Sequence, residues 1–234
     1  MRFTFMAVSS LIFMSKLFGQ GKINKALKAE LDSIFTVDQR YRLFIQSDQF
    51  KPKTDSLAKK LKVGQGDVVR YMLQKIQEND STNFQRVKGI IKEYGYPGKT
   101  LVGEPTNQAA FYVIQHSKEI NAYLPLIKKA ADQKEISFTL YATMLDRSLV
   151  MKGQEQFYGT QTKGFEITDS ATGKKKWQTI IWPISDVRNV NRRRKQAGFD
   201  DSVEENAKKL GIDYKIYDLK TVSAYGETRQ IKAF

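Results

Sequence analysis

From Ile23 to Ile45 the apolar residues Leu27, Leu31, Ile34, Tyr41 and Ile45 recur at alternating steps of four and three, which is one face of an amphipathic helix. Position 38 completes that rhythm, and it holds Asp38. Gly64 and Gly66 punctuate the next loop. Val69, Leu73 and Ile76, then Val87, Ile90 and Tyr94, describe either one long helix or two joined end to end. The rhythm also passes through Asp80 and Asn83, but NDSTN is a good turn and N-cap sequence, so a second helix starting at Asp80 or Ser81 is preferred over a buried Asp80.

YGYPGKTLVGEP reads as a loop, because its Pro and Gly residues block both helix and central strand. A helix from about Thr106 to Ser117 follows, with small Ala109 and Ala110 permitting close packing. Pro125 suits the first turn of another, ending near Lys134, since its missing N–H costs nothing there. Phe138, Tyr141, Ala142, Leu145 and Leu149 mark a third. Short connections imply antiparallel neighbours. The period then drops to two at Phe165, Ile167, Trp177, Thr179 and Ile181, with a turn at Ala171 to Lys174 between, which reads as a β-hairpin ended by Pro183. Asp186 caps a short helix that stops at Gly198. Ser202 and Glu205 form a capping box for another that stops at Gly211. The fold class is therefore mainly α: a single-domain antiparallel helical bundle over 20–211, with a small β-hairpin near 163–184 and short C-terminal helices. Residues 212–234 add a strand through Tyr214 and Ile216, or a loose tail.

Composition sets the address. MRFTFMAVSSLIFMSKLFGQ has one early charge at Arg2, an apolar run from Phe3 to Met14 and small or polar residues at its end, so 1–19 reads as a secretory signal peptide. The run is too short for a membrane span of roughly 20 residues. With no cysteine, neither a lipoprotein anchor nor a disulfide is expected, and the mature chain is expected in the periplasm or secreted, without a transmembrane span. The formal charge of +14 draws the chain to polyanions. Outside the cytoplasm those are chiefly envelope glycans and lipids, so nucleic acid is not the expected partner.

The inventory of chemical groups excludes much. His116 is the only histidine, which removes zinc sites built on several imidazoles, and no thiolate exists. No calcium-loop spacing, Walker loop, dinucleotide fingerprint or nucleophile elbow is present, so neither a metal nor a cofactor is expected. Two readings of His116 stay open: a core hydrogen bond, or a general base beside Gln115 and Glu119. Asp38 is sharper, because a carboxylate on an apolar stripe needs a partner to stay ionised. Arg42, one turn later, is the nearest; Arg147 and His116 are others. Asp146 and Arg147 are adjacent on a helix and point to different sides. Gln156, Tyr158, Thr160 and Gln161 form a polar-aromatic run suited to sugar or peptide groups, or to the junction of bundle and hairpin. Arg188, Arg192 and Lys195 share a face that suits an anion; solvated charge is the simpler reading.

Several segments together resemble an uncharacterised, mostly bacterial family, a domain of unknown function: DQRYR at Asp38 to Arg42, Asp80 with Asn83, GYPG and VG at Gly95 to Gly103, AAFYVIQH at Ala109 to His116, LPLIKKA at Leu124 to Ala130, LDR at Leu145 to Arg147 and GQEQFYGTQ at Gly153 to Gln161. The P-I-x-D of Pro183 to Asp186 and the Arg-rich helix fit as well. Where such members often have Trp after Gly95 and Asp two residues after His116, this chain has Tyr96 and Lys118. The resemblance implies no activity, fold or ligand.

The expected site is a polar pocket floored by Asp38 and His116 and rimmed by Arg147, Tyr158 and Gln161, with Arg42, Gln115, Asp146 and Gln156 as further ligand-binding candidates. The expected function is an exported binding or interaction module for a small molecule, a glycan or another anionic envelope ligand. The alternative is an envelope hydrolase or other acid–base enzyme with His116 as base, Asp38 as orienter and Arg147 stabilising an anion.

Overall fold

A computed structural model describes residues 22–46, 50–168 and 173–224. The expected signal segment, most of the hairpin turn and the chain's last ten residues lie outside the described residues. Within them ten α-helices and one antiparallel hairpin follow in order: α1 Lys25–Gln46, α2 Phe50–Leu61, α3 Val68–Tyr94, α4 Lys99–Val102, α5 Ala109–His116, α6 Ile120–Asp132, α7 Phe138–Met151, β1 Thr162–Thr168, β2 Lys175–Ile181, α8 Val190–Ala197, α9 Val203–Lys209 and α10 Leu219–Ala224. No helix among the described residues is long and apolar enough to cross a membrane.

The periodicity of α1 works as expected: Leu27, Leu31 and Ile34 bury against Phe84, Val87 and Ile90 of α3 and against Ala109, Ala110, Phe111, Val113 and Ile114 of α5. Alanines at the start of α5 remove side-chain bulk and bring the three helices together. Further along α1, Tyr41, Phe44 and Ile45 join a second apolar cluster with Ala58 of α2 and with Val68 and Met72 of α3. Because α1 and α3 run past each other in opposite directions, the stretch between the two clusters is shared. It holds Asp38 and Arg42 on α1, and Asp80 and Asn83 on α3. A polar layer is thus interleaved between two dry ones.

Several sequence expectations are corrected here. NDSTN is neither a turn nor a cap: α3 runs unbroken for 27 residues, and Asp80 lies in its middle. The competing signal won because Arg42 supplies Asp80 with a partner across the bundle, and tertiary pairing outweighs a local capping preference. Pro125 sits inside α6 rather than in its first turn. It is tolerated because Pro125 and Asn121, whose carbonyl loses its helical donor, both face solvent. The YGYPGKTLVGEP loop contains the single-turn helix α4, and α2 fills a stretch the periodicity left unassigned.

The hairpin forms where expected, but its facing differs: the register sets Phe165 opposite Gln178, so Phe165 and Ile180 turn inward together while Trp177 and Thr179 are exposed and Ile181 joins a separate cluster; Trp182 just beyond β2 donates its indole N–H to the Gln154 carbonyl at 2.8 Å. Asp186 precedes α8 in a left-handed conformation but does not cap it with its side chain, which instead accepts from Asn189 and Arg193. The Ser202–Glu205 capping box is present on both sides. The strand expected at Tyr214 and Ile216 does not form among the described residues: Tyr214 packs against the Ile181 cluster, Ile216 is exposed, and the chain goes on into α10, whose Val222 packs under the hairpin.

Candidate functional site

Asp38 lies in the polar layer with its side chain wholly buried, so it needs donors. Gln39 Nε2 donates to Asp38 Oδ2 at 2.6 Å. On the other oxygen, Oδ1, His116 Nδ1 approaches to 3.4 Å and Arg42 Nη1 to 3.5 Å; the same Arg42 nitrogen donates to the Asp38 main-chain carbonyl at 2.9 Å. The stronger ion pair of Arg42 is with Asp80, both of whose oxygens accept from Nη2 at 2.8 and 2.7 Å. Asn83 completes the layer, donating to the Ile34 carbonyl at 3.4 Å. Of the three partners proposed for Asp38 from the sequence, Arg42 and His116 are at hand and Arg147 makes no bond to it, and Asp80 is the member that the residue-level reading passed over. Its signals were its place on the rhythm of α3 and its pairing with Asn83 among the segments that carry the family resemblance.

His116 ends α5 and keeps 12 % of its side chain exposed. With Asp38 accepting at Nδ1, the tautomer carrying the proton there leaves Nε2 available. Gln115, next to it on α5, is half-buried. From α7, Arg147 brings a second guanidinium toward the layer. Its Nε is buried without an acceptor, and so is the Nε of Arg42. Burial first, and then the like charge of Arg42, push the Arg147 guanidinium below its ordinary pKa. Asp38, Asp80 and His116 also each offer one donor atom, all within 4.8 Å of one another, and could hold a divalent cation. The guanidinium of Arg42 already bridges those carboxylates, however, and a cation there would face it.

Asp146 points the other way from Arg147, as adjacency on a helix requires. Its buried carboxylate accepts the main-chain N–H groups of Phe157 (2.7 Å), Tyr158 (3.1 Å) and Thr160 (3.1 Å), and the Thr160 hydroxyl at 2.9 Å. Burial raises its pKa, and those four donors work against the rise. The carbonyls of the same loop are met from the opposite side: Arg193 Nε takes Phe157 O at 3.0 Å, Arg194 Nη1 takes Tyr158 O at 2.8 Å, and Asn206 takes Gly159 O at 3.2 Å. Gly159, at φ +68°, has no room for a side chain, since a Cβ would lie 2.6 Å from Val203. Gln156 is fully buried and acts as a surrogate strand, bonding Gln161 N, Gln161 O and Trp182 O. Gln161 reaches the Thr143 carbonyl of α7 at 3.5 Å. The Tyr158 ring tilts against Phe199 at 6.1 Å.

The expected residues thus fall into two groups. Asp38, Arg42 and His116 come together, with Arg147 near enough to feel the charge of Arg42; Asp146, Gln156, Tyr158 and Gln161 build a separate clamp that fixes the loop joining bundle to hairpin. Two members of the basic run, Arg193 and Arg194, belong to that clamp, with Arg194 buried, paired to Asp201 and stacked over Phe199 at 4.5 Å. Arg188, Arg192 and Lys195 remain exposed.

Comparison with known proteins adds one match. Residues 61–220 correspond to a family described as of unknown function, DUF6624. The matched span contains Asp80, His116, Arg147 and the whole loop clamp, while Asp38 and Arg42 precede it. No curated protein and no solved structure matches the chain.

Proposed function

The chain belongs to that family, and with no activity to inherit from it we propose from the geometry that it is an exported binding module for a small polar molecule or glycan of the cell envelope, with the polar layer as its site. The observation that carries the reading is the meeting of Asp38 and His116, 78 residues apart in sequence, at 3.4 Å between two apolar clusters and beside the Arg42 guanidinium. A bundle of this size gains nothing in stability from such a layer that well-packed apolar residues would not give it. The two helices it interrupts, α1 and α3, are apolar on either side. A thermal-shift screen of sugars, amino acids and small anions tests it: a ligand should raise the melting temperature, and His116→Ala should abolish that rise while leaving the unliganded melting temperature nearly unchanged. A hit that survives His116→Ala, or a large loss of stability in the variant, argues for a folding network instead.

The second reading, acid–base catalysis, is favoured by one feature, the orientation of His116 by Asp38 with Nε2 left free. It requires turnover that Asp38→Asn reduces far more than it reduces ligand affinity. Export itself is tested by N-terminal sequencing of protein recovered from an envelope fraction, where an intact Met1 would contradict it.

A further inference from the structure

Matching donors to acceptors in the polar layer leaves one cation over. Arg42 has its charge paired by Asp80 and Asp38, although its Nε lacks an acceptor, and Asp38 is met again by Gln39 and His116. Arg147 finds no acceptor for any of its N–H groups among the described residues, and its Nε is sealed in protein. A guanidinium cannot escape by giving up its proton. Exposed Arg188 and Arg192 also lack acids, but water solvates them, whereas Arg147 is half-buried next to a layer of buried charges. The charge that acts on it is that of Arg42, of the same sign.

We propose that Arg147 anchors an oxyanion of the ligand, a carboxylate or a phosphoryl group, and that His116, whose ring is part-exposed on the same polar layer, lies beside that anion. This rests on the reading of the polar layer as a binding site and names the class of molecule it takes. With Nε sealed, the anion meets the two terminal nitrogens end-on, a fork that matches two oxygens of a carboxylate or phosphoryl group. The same arrangement argues against a metal ion on Asp38, Asp80 and His116, because a divalent cation would bring a third positive group to two guanidiniums.

His116 is the only imidazole in the chain, so its ring resonances report on one place. Inorganic phosphate and acetate are titrated into the full chain against chloride at constant ionic strength while the His116 ring signals are followed by NMR. The expected result is a saturable shift with phosphate or acetate and none with chloride. Arg147→Gln should raise the apparent Kd by about tenfold or more, Arg147→Lys should give an intermediate value because it keeps charge and loses the fork, and Arg188→Gln should leave it unchanged. If Arg147→Gln fails to fold, the Lys variant carries the comparison. An unchanged Kd in both Arg147 variants, equal shifts with chloride, or a response only to Mn2+ or another divalent cation overturns the assignment. A neutral sugar that moves His116 when phosphate and acetate do not overturns the oxyanion and leaves the binding site standing; no response to any compound overturns both.

Discussion

Asp146→Asn tests how the loop after α7 is held. The substitution keeps the shape of the side chain and one acceptor oxygen. If the amide oxygen takes the place of Oδ1, Phe157 and Tyr158 keep a partner, but both bonds become neutral. Thr160 N, which lies 3.1 Å from Oδ2, then faces an NH2 group. An orphaned buried N–H costs about 1–3 kcal/mol, and two bonds weakened from charged to neutral lose roughly 1 kcal/mol each. Against this stands relief of desolvation, because burial opposes the charge of Asp146. The upward direction of its pKa means that burial offsets the charge assistance of the four donors, so the net expectation rests on the orphaned N–H: a loss of about 1–3 kcal/mol, or roughly 2–12 °C in melting temperature for a chain of this size. Urea denaturation followed by far-UV circular dichroism and by tryptophan fluorescence measures it. Buried Trp182, bonded to Gln154 near the clamp, supplies a local signal. A change within about 0.5 kcal/mol, the range of ordinary surface substitutions, or a gain in stability, would show that desolvation dominates and that the carboxylate does not hold the loop.

Arg42→Met should cost more than Asp38→Ala in the same assay: the first leaves two carboxylates without their cation, about 3–5 kcal/mol, while the second leaves Arg42 on Asp80, and the reverse order would contradict the pairing described. Gly159→Ala should destabilise by at least about 1–2 kcal/mol from its positive φ alone, with the contact against Val203 adding to it; a neutral effect would mean that the loop is not packed as described. Burial alone would lift the Asp201 carboxyl, but Lys209 and Arg194 outweigh it and hold it below the usual value. Its contribution is therefore present above the unfolded pKa of about 3.9 and lost as pH falls through the folded one. The stability gap between the wild type and Asp201→Asn should accordingly be full near neutrality and close below about pH 4; a gap independent of pH would refute this.

The elements legible in the sequence were those whose periodicity and burial agree. The face of α1 buries Leu27, Leu31 and Ile34 as their spacing marks, whereas α7 fully buries only Ala142 of its marked residues and β2 leaves Trp177 and Thr179 exposed; Asp38 stood out because it broke the pattern of α1. Asp80 was missed for the opposite reason: its neighbours NDSTN carry a strong local signal, and the residue that overrides it is 38 positions away. The opposed directions of Asp146 and Arg147 followed from helix geometry alone. What each would meet did not, because the partners of Asp146 are main-chain groups, which every residue possesses and no sequence pattern advertises. The same holds for Gln156, whose amide replaces strand pairing. Arg193 and Arg194 looked like surface charge since nothing in RRRK tells an arginine that caps carbonyls from one that meets water.

The placement of Asp146 and Arg147 on consecutive residues of α7 has a mechanical side. One peptide unit, a rotation of roughly 100°, separates the side chain that grips the bundle-to-hairpin loop from the one that reaches the polar layer. A helix is too stiff for those two residues to move independently, so any roll or slide of α7 that draws Arg147 inward carries the Asp146 carboxylate with it and pulls on three main-chain N–H groups at once. Were a ligand to draw Arg147 inward as proposed, α7 would be the shaft that passes that pull to the loop leading into the hairpin.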